Sequence, residues 1–194
     1  MPKTRGQRAK TANTASPSTF ITNLTGDLTA DPPKNAVLIH SVNCEGQWGS
    51  GVALALAKKF PGAFKVYEKE CKKSQEELLG TCYLIPPQDD EEDTEPRWIA
   101  CLFVSESYGA KTKTKPGKGK RADITRYTKT ALEALRKELE TYSGTPGNGP
   151  DVRELWACKF NSGSFGVRWE RTVMVIEEVF EGWEGGQMMV VSYE

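Results

Sequence analysis

The chain has no surplus of charge, since 26 Lys and Arg residues balance 26 Asp and Glu. No net field therefore draws it toward nucleic acid or an anionic membrane, and any electrostatic argument must be local. Histidine is almost missing, His40 being the only one, so there is no choice of imidazole bases and no His-rich metal cluster. The five cysteines (Cys44, Cys71, Cys82, Cys101, Cys158) are odd in number and include no Cys-x-x-Cys pair. Both a disulfide framework and a zinc site are disfavoured, and a reducing compartment is expected. No run approaches the roughly 20 apolar residues of a membrane span, and the first residues lack the apolar core of a secretory signal. The expectation is a soluble cytoplasmic or nuclear monomer with no membrane partner, no metal and no cofactor.

What is present is enough for one domain. A chain of 194 residues can enclose a substantial core. Residues 1–17 carry Lys3, Arg5, Arg8 and Lys10 with no large apolar side chain after Met1, so they read as a disordered basic tail ahead of a domain over 18–194. From Phe20 onward, β-branched and aromatic runs alternate with segments of helical period, the pattern of a layered α/β fold. Strands are expected at 20–24, 36–42, 81–85, 98–104, 154–160 and 188–193. Val37-Leu38-Ile39 and Met188 to Val191 are apolar without alternation, as in strands covered on both faces. Apolar steps at Val52, Leu56 and Phe60 predict a first helix, which Pro61 interrupts before a second through Phe64, Tyr67 and Cys71. Tyr127, Ala131, Ala134, Leu135 and Leu139 predict a third helix with Asp123 as its N-cap. Trp169, Val173, Ile176 and Phe180 predict the last. Surface loops are expected near 86–97 (acidic, from Asp89 to Glu95), 109–121 (basic, from Lys111 to Arg121) and 143–150.

Two small-residue loops join an expected strand to an expected helix. His40-Ser41-Val42-Asn43-Cys44-Glu45-Gly46-Gln47-Trp48-Gly49-Ser50-Gly51-Val52 is the first, and Asn161-Ser162-Gly163-Ser164-Phe165-Gly166-Val167 the second. Such loops can present backbone N–H groups to an anion, with the following helix dipole in support. Glycine lets a phosphate approach the main chain with no Cβ in the way. Either loop alone has an equally good explanation as a tight turn. In open α/β sheets, however, ligands sit beyond the carboxyl ends of strands, so the two can face each other across one crevice and grip a diphosphate.

These residues resemble a family. Gly26-Asp27-Leu28, Asn43 to Ala53 and Asn161 to Val167 are similar, in order and separation, to the three ligand loops of macrodomains. His-Ser-x-Asn-Cys-x-Gly-x-Trp-Gly at 40–49 and Asn-Ser-Gly-x-Phe-Gly-Val at 161–167 most resemble the fungal ADP-ribose 1″-phosphate phosphatase branch. The resemblance implies a three-layer α/β/α sandwich around a mixed, mostly parallel sheet, with ADP-ribose or ADP-ribose 1″-phosphate across its crest. It implies that Asp27 accepts a hydrogen bond from the adenine amino group beside Leu28 and Gly26. Gly163, Ser164, Phe165, Gly166 and Val167, after Asn161 and Ser162, would wrap the diphosphate, with Phe165 over the terminal ribose. Asn43 would orient that ribose next to Ser41 and Val42, and Trp48, Gly49, Ser50, Gly51, Val52 and Ala53 would close around the 1″ substituent. Many macrodomains carry a third glycine where Ser50 stands; its hydroxyl can narrow the passage or bond a phosphate oxygen.

The activity so implied is hydrolysis of the terminal phosphate by a positioned water, with amide donors taking up charge on the phosphoryl group. His40 and Asn43 are the candidate catalytic residues, His40 as general acid or base with a structural role as its alternative. Cys44 reads as structural, because no Arg-containing cradle follows it. A lysine-nucleophile mechanism of a related branch is disfavoured, since Gly163-Ser164-Phe165 stands where that branch places an aspartate. The alternatives are an ADP-ribosyl hydrolase acting on modified protein or nucleic acid, and a module that binds ADP-ribose or ADP-ribosylated protein without turnover. Nucleic acid as a direct partner of the lysine-rich segments is disfavoured, because no aromatic platform is interleaved with them.

Overall fold

The computed structural model describes residues 20–75, 77–88, 95–142 and 149–193. Six strands are β1 (Ile21–Thr25), β2 (Val37–Asn43), β3 (Cys82–Ile85), β4 (Trp98–Ser105), β5 (Leu155–Ala157) and β6 (Met188–Ser192). They form one sheet in the order β1-β6-β5-β2-β4-β3. All neighbours are parallel except β3 and β4, which pair antiparallel. Four helices complete the chain: α1 (Gly51–Lys59), α2 (Pro61–Ser74), α3 (Arg121–Tyr142) and α4 (Trp169–Val179).

Side-chain alternation sorts the sheet's two faces into two cores. Val37 and Ile39 of β2, with Trp98, Ala100, Leu102 and Val104 of β4, pack with α3 and α4. Leu38 and Val42, with Ile99, Cys101 and Phe103, pack with α1 and α2 through Leu56, Phe60, Ala63 and Tyr67. The period of two thus feeds both helical layers from the same strands, and every residue of β4 is buried. This is a three-layer α/β/α sandwich with a mixed, mostly parallel sheet, as expected. Each large apolar side chain so buried contributes about 1.5–3 kcal/mol. Leu56 is the one fully buried residue of α1, so that helix depends strongly on it and on Phe60. Pro61 occupies the first turn of α2, where its missing N–H has no intrahelical partner to lose.

Four expectations need correction. Asp123 is not the N-cap of α3: the helix starts at Arg121, and Asp123 sits in its first turn, paired with Arg126 at 3.2 Å. The buried stripe of α3 is Ile124, Thr128, Ala131, Leu132, Leu135 and Leu139, with Tyr127 and Ala134 only half-buried at its flank. On α4 the buried positions are Thr172, Val175, Ile176 and Val179, while Trp169 and Val173 pack at the edge of the core. Strand β5 stops at Ala157, its last pairing with both β2 and β6, which releases 158–160 into the crest. The tail, the acidic residues Asp89 to Asp93 and most of the loop after α3 lie outside the described residues. Among the described residues, no helix is long and apolar enough to cross a membrane, and no group of three His, Cys, Asp or Glu side chains could hold a metal.

Candidate functional site

Because β1, β2, β4, β5 and β6 run in one direction, their carboxyl ends share one edge of the sheet. A cavity of about 670 Å³ opens there. Its walls are Ser41 to Asn43, Gln47 to Ala53, Tyr108 and Gly109, Cys158 to Asn161, and Gly163 to Phe165.

The first wall begins where β2 loses register with β4 between Val42 and Asn43, an irregularity of the kind that re-aims side chains at sheet ends. Asn43 then folds the loop around itself. Its Oδ1 accepts the Glu45 N–H at 2.8 Å, and its Nδ2 donates to the Gln47 carbonyl at 2.8 Å. Tyr67 of α2 donates its hydroxyl to the Asn43 carbonyl at 2.6 Å. Helix α1 starts at Gly51, whose φ of 55° favours glycine. Ser50 precedes it in extended conformation with no side-chain cap, and the first turn holds no acidic residue. The opening N–H groups of α1 are thus left for a ligand, with the positive dipole end undiminished.

The second wall hangs on Asn161, which adopts a φ of 67°. Its Nδ2 donates to Thr128 Oγ1 on α3 at 2.8 Å, and its N–H bonds Ser41 Oγ at 3.2 Å. Val167 N–H returns to the Asn161 carbonyl at 2.9 Å, and Gly166 N–H to the Gly163 carbonyl at 3.0 Å. The N–H groups of Gly163, Ser164 and Phe165 have no partner among the described residues. The two walls meet at the mouth, where Ser50 Oγ lies 3.4 Å from Ser164 Oγ. A Cβ added at Gly49, Gly51 or Gly163 would meet no atom within 4 Å, so glycine leaves open room at these three positions. The residues expected to form two opposed anion cradles are therefore brought together over one cleft.

Other expected residues stand differently. Gly26, Asp27 and Leu28 follow β1 on the same crest but do not line the cavity. Three hydrogen bonds converge on Asp27 Oδ1, from the Thr29 N–H, the Thr29 hydroxyl and the Tyr193 hydroxyl, at 2.7, 2.8 and 2.8 Å. Burial alone would raise the Asp27 pKa, but these bonds and the Lys59 charge outweigh it and hold the carboxyl below its ordinary value. The carboxylate is thus kept as an ionised acceptor. Ser162 is half-buried behind the loop, Val167 is in the core, and Gly166 turns at a φ of 68°.

His40 does not reach the cleft. It is fully buried between Trp48, edge-on at 4.7 Å between ring centroids, and Cys101, whose Sγ is 3.8 Å from Nε2. Burial pushes its pKa down to about 3, so it is neutral near pH 7. The acid-base role expected for it has no geometric support here, because proton transfer requires reach. Cys44 is buried too, and desolvation, with Cys71 and two glutamates nearby, pushes its thiol up to about 12. Cys158 does line the cavity, but burial likewise raises its thiol to about 12. Neither offers a thiolate nucleophile at neutral pH.

Sequence reasoning missed Gln47, Tyr108, Gly109, Cys158, Lys159 and Phe160 as lining residues. Tyr108 and Gly109 follow β4, and only the parallel β2–β4 pairing reveals that they reach the crest. Residues 158–160 were hidden by an over-long β5. The basic loop, read as an uninvolved surface segment, is attached to the site: Lys115 pairs with Glu45 at 3.4 Å and lies over the Tyr108 ring, and Lys118 Nζ donates to the Ser164 carbonyl at 2.7 Å.

With sheet order, crest and paired cradles in place, the comparison with known proteins is decisive for class. The Macro domain family model matches residues 39–176, and the chain belongs to the macrodomain family. Its relatives include proteins named ADP-ribose 1″-phosphate phosphatase. That of Neosartorya fischeri is 35% identical over 185 residues, covering 81% of this chain and 89% of the relative. That of Chaetomium globosum is 36% identical over 186 residues, covering 90% and 95%. That of Saccharomyces cerevisiae is 33% identical over 172 residues, covering 81% and 92%. Among solved structures, the macrodomain of Mycobacterium tuberculosis DarG superposes with a TM-score of 0.66 at 21% identity, covering 88% of this chain and 96% of that one, and agrees in fold.

Proposed function

We propose that this macrodomain binds ADP-ribose 1″-phosphate and hydrolyses its terminal phosphate. What carries the reading is one juxtaposition: the open start of α1 and the 163–165 loop, whose N–H groups have no partner among the described residues, line one cavity, with room left at Gly49, Gly51 and Gly163. Two such cradles suit a ligand that is anionic at two points, with its diphosphate on the 163–165 loop and its terminal phosphate at the start of α1, better than a single anion. The names of the fungal relatives, at 33–36% identity over most of both chains, supply the chemistry.

Among the residues lining the cavity there is no carboxylate and no histidine. Catalysis then rests on position and electrostatics, as phosphoryl transfer with a loose transition state allows. The α1 amides and Ser50 hydroxyl take up charge on the transferring oxygens, while Asn43 keeps the loop in shape. A cleft water attacks phosphorus, the bond to the 1″ oxygen breaks, a proton of the water passes to that oxygen, and the products are inorganic phosphate and ADP-ribose. The test is phosphate release from ADP-ribose 1″-phosphate by the full chain, with calorimetric titration of ADP-ribose alongside. Release that ADP-ribose inhibits is expected; binding of ADP-ribose with no release would leave a reader module and refute the phosphatase.

A further inference from the structure

Lys118, in the basic loop between β4 and α3, is not in the cavity wall, yet it touches the diphosphate loop through one atom. Its ammonium donates to the Ser164 carbonyl at 2.7 Å. Among the described residues no peptide bond is cis, and in a trans peptide the C=O and the following N–H point in opposite directions. A carbonyl of Ser164 held toward Lys118 therefore sends the Phe165 N–H the other way. Ser164 and Phe165 both line the cavity and Lys118 does not, and the lysine grips this peptide from the side opposite its N–H.

The loop is built to hold Lys118 in place. Its own N–H donates to the Gly109 carbonyl at 3.0 Å, and the next N–H, of Gly119, bonds Ser105 Oγ at 3.0 Å. Ser105 is itself buried and donates to the Ser107 carbonyl at 2.8 Å. The lysine is thereby tied to the end of β4, which is also where Tyr108 and Gly109 enter the cavity wall. A cation bonded to the carbonyl side of an amide also polarises its N–H toward an anion.

We infer that Lys118 is a positioning residue for the diphosphate: acting through the Ser164–Phe165 peptide, it aims and polarises an amide donor that receives a phosphate oxygen. The inference rests on the ADP-ribose reading above and adds to it a residue for which the loop sequence gave no role.

The experiment compares wild type, Lys118→Met, Lys118→Arg and Lys113→Met by calorimetry with ADP-ribose and with adenosine, which lacks the diphosphate. Misaiming the one amide donor that receives a phosphate oxygen predicts that Lys118→Met binds ADP-ribose about tenfold more weakly. Adenosine binding should be unchanged, thermal stability should fall only slightly because the lost bond is exposed, Lys118→Arg should restore most of the affinity, and Lys113→Met should match wild type. The idea is overturned if Lys118→Met binds ADP-ribose like wild type, if Lys113→Met weakens it equally, or if adenosine is weakened as much. Wild type giving no heat with ADP-ribose would instead remove the ligand reading itself, and the inference with it.

Discussion

Replacing Gly163 by Val separates folding from binding. The position lies outside the left-handed region that only glycine tolerates easily, and an added Cβ meets no atom within 4 Å. The fold should therefore accept the side chain, with a gain of about 0.4–1 kcal/mol from the stiffer unfolded chain offsetting any local adjustment. The ligand should not. Amide hydrogen bonds need an N···O separation of about 2.9 Å, and the valine methyls would stand in the room the cavity keeps at this loop. Losing two charge-assisted bonds costs about 3–6 kcal/mol, which is at least a hundredfold in Kd. Calorimetry with ADP-ribose, beside a thermal melt, reads both numbers. A folded Gly163→Val protein that binds ADP-ribose within threefold of wild type would refute the claim that this loop holds the diphosphate.

Further predictions follow from the buried groups and the cleft mouth. His40 has its folded pKa lowered to about 3 against an ordinary 6.5, so its stabilising effect is complete above about pH 6.5 and is lost as pH falls toward 3. Denaturant titrations at pH 7 and pH 5 should show about 2 kcal/mol more loss in wild type than in His40→Gln; equal losses would mean the imidazole is accessible. Ser50→Gly removes the hydroxyl facing Ser164 and should raise both association and dissociation rates of ADP-ribose in stopped flow, at a cost of about 0.4–1 kcal/mol in stability from the freer unfolded chain. Unchanged rates would show that the Ser50–Ser164 contact does not narrow the entrance. Asn43→Ala breaks both turn bonds of the first loop and should reduce phosphate release by about 10²-fold or more, since misplacement by an ångström costs that much. Full activity in the variant would place the loop outside catalysis.

Local chemistry made much of the protein readable along the chain. Apolar runs bounded by turn residues marked six strands to within a residue or two, except at the end of β5. Pro61 marked the break between α1 and α2 because a proline cannot continue the hydrogen-bond ladder of the preceding helix. The glycines at 49, 51 and 163 pointed to anion loops because the need for a bare backbone is a property of single residues. Helix starts were less legible: Asp123 has the chemistry of a cap, but the chain before it was already free to wind from Arg121.

Three-dimensional packing decided what no local pattern encodes. His40 stands in the middle of β2, where the pleat sends a side chain to the α1–α2 core or to the α3–α4 core and a one-residue change in phase swaps the two. The pleat turned it to Trp48 and Cys101, removing an acid-base candidate that the sequence alone could not dismiss. That Tyr108, Lys118 and Ser164 are neighbours followed from the parallel placement of β2 and β4 beside β5, which gathers loops from distant parts of the chain at one edge. Sequence determines which backbone can cradle an anion; only the order and direction of the strands determine which cradles share one.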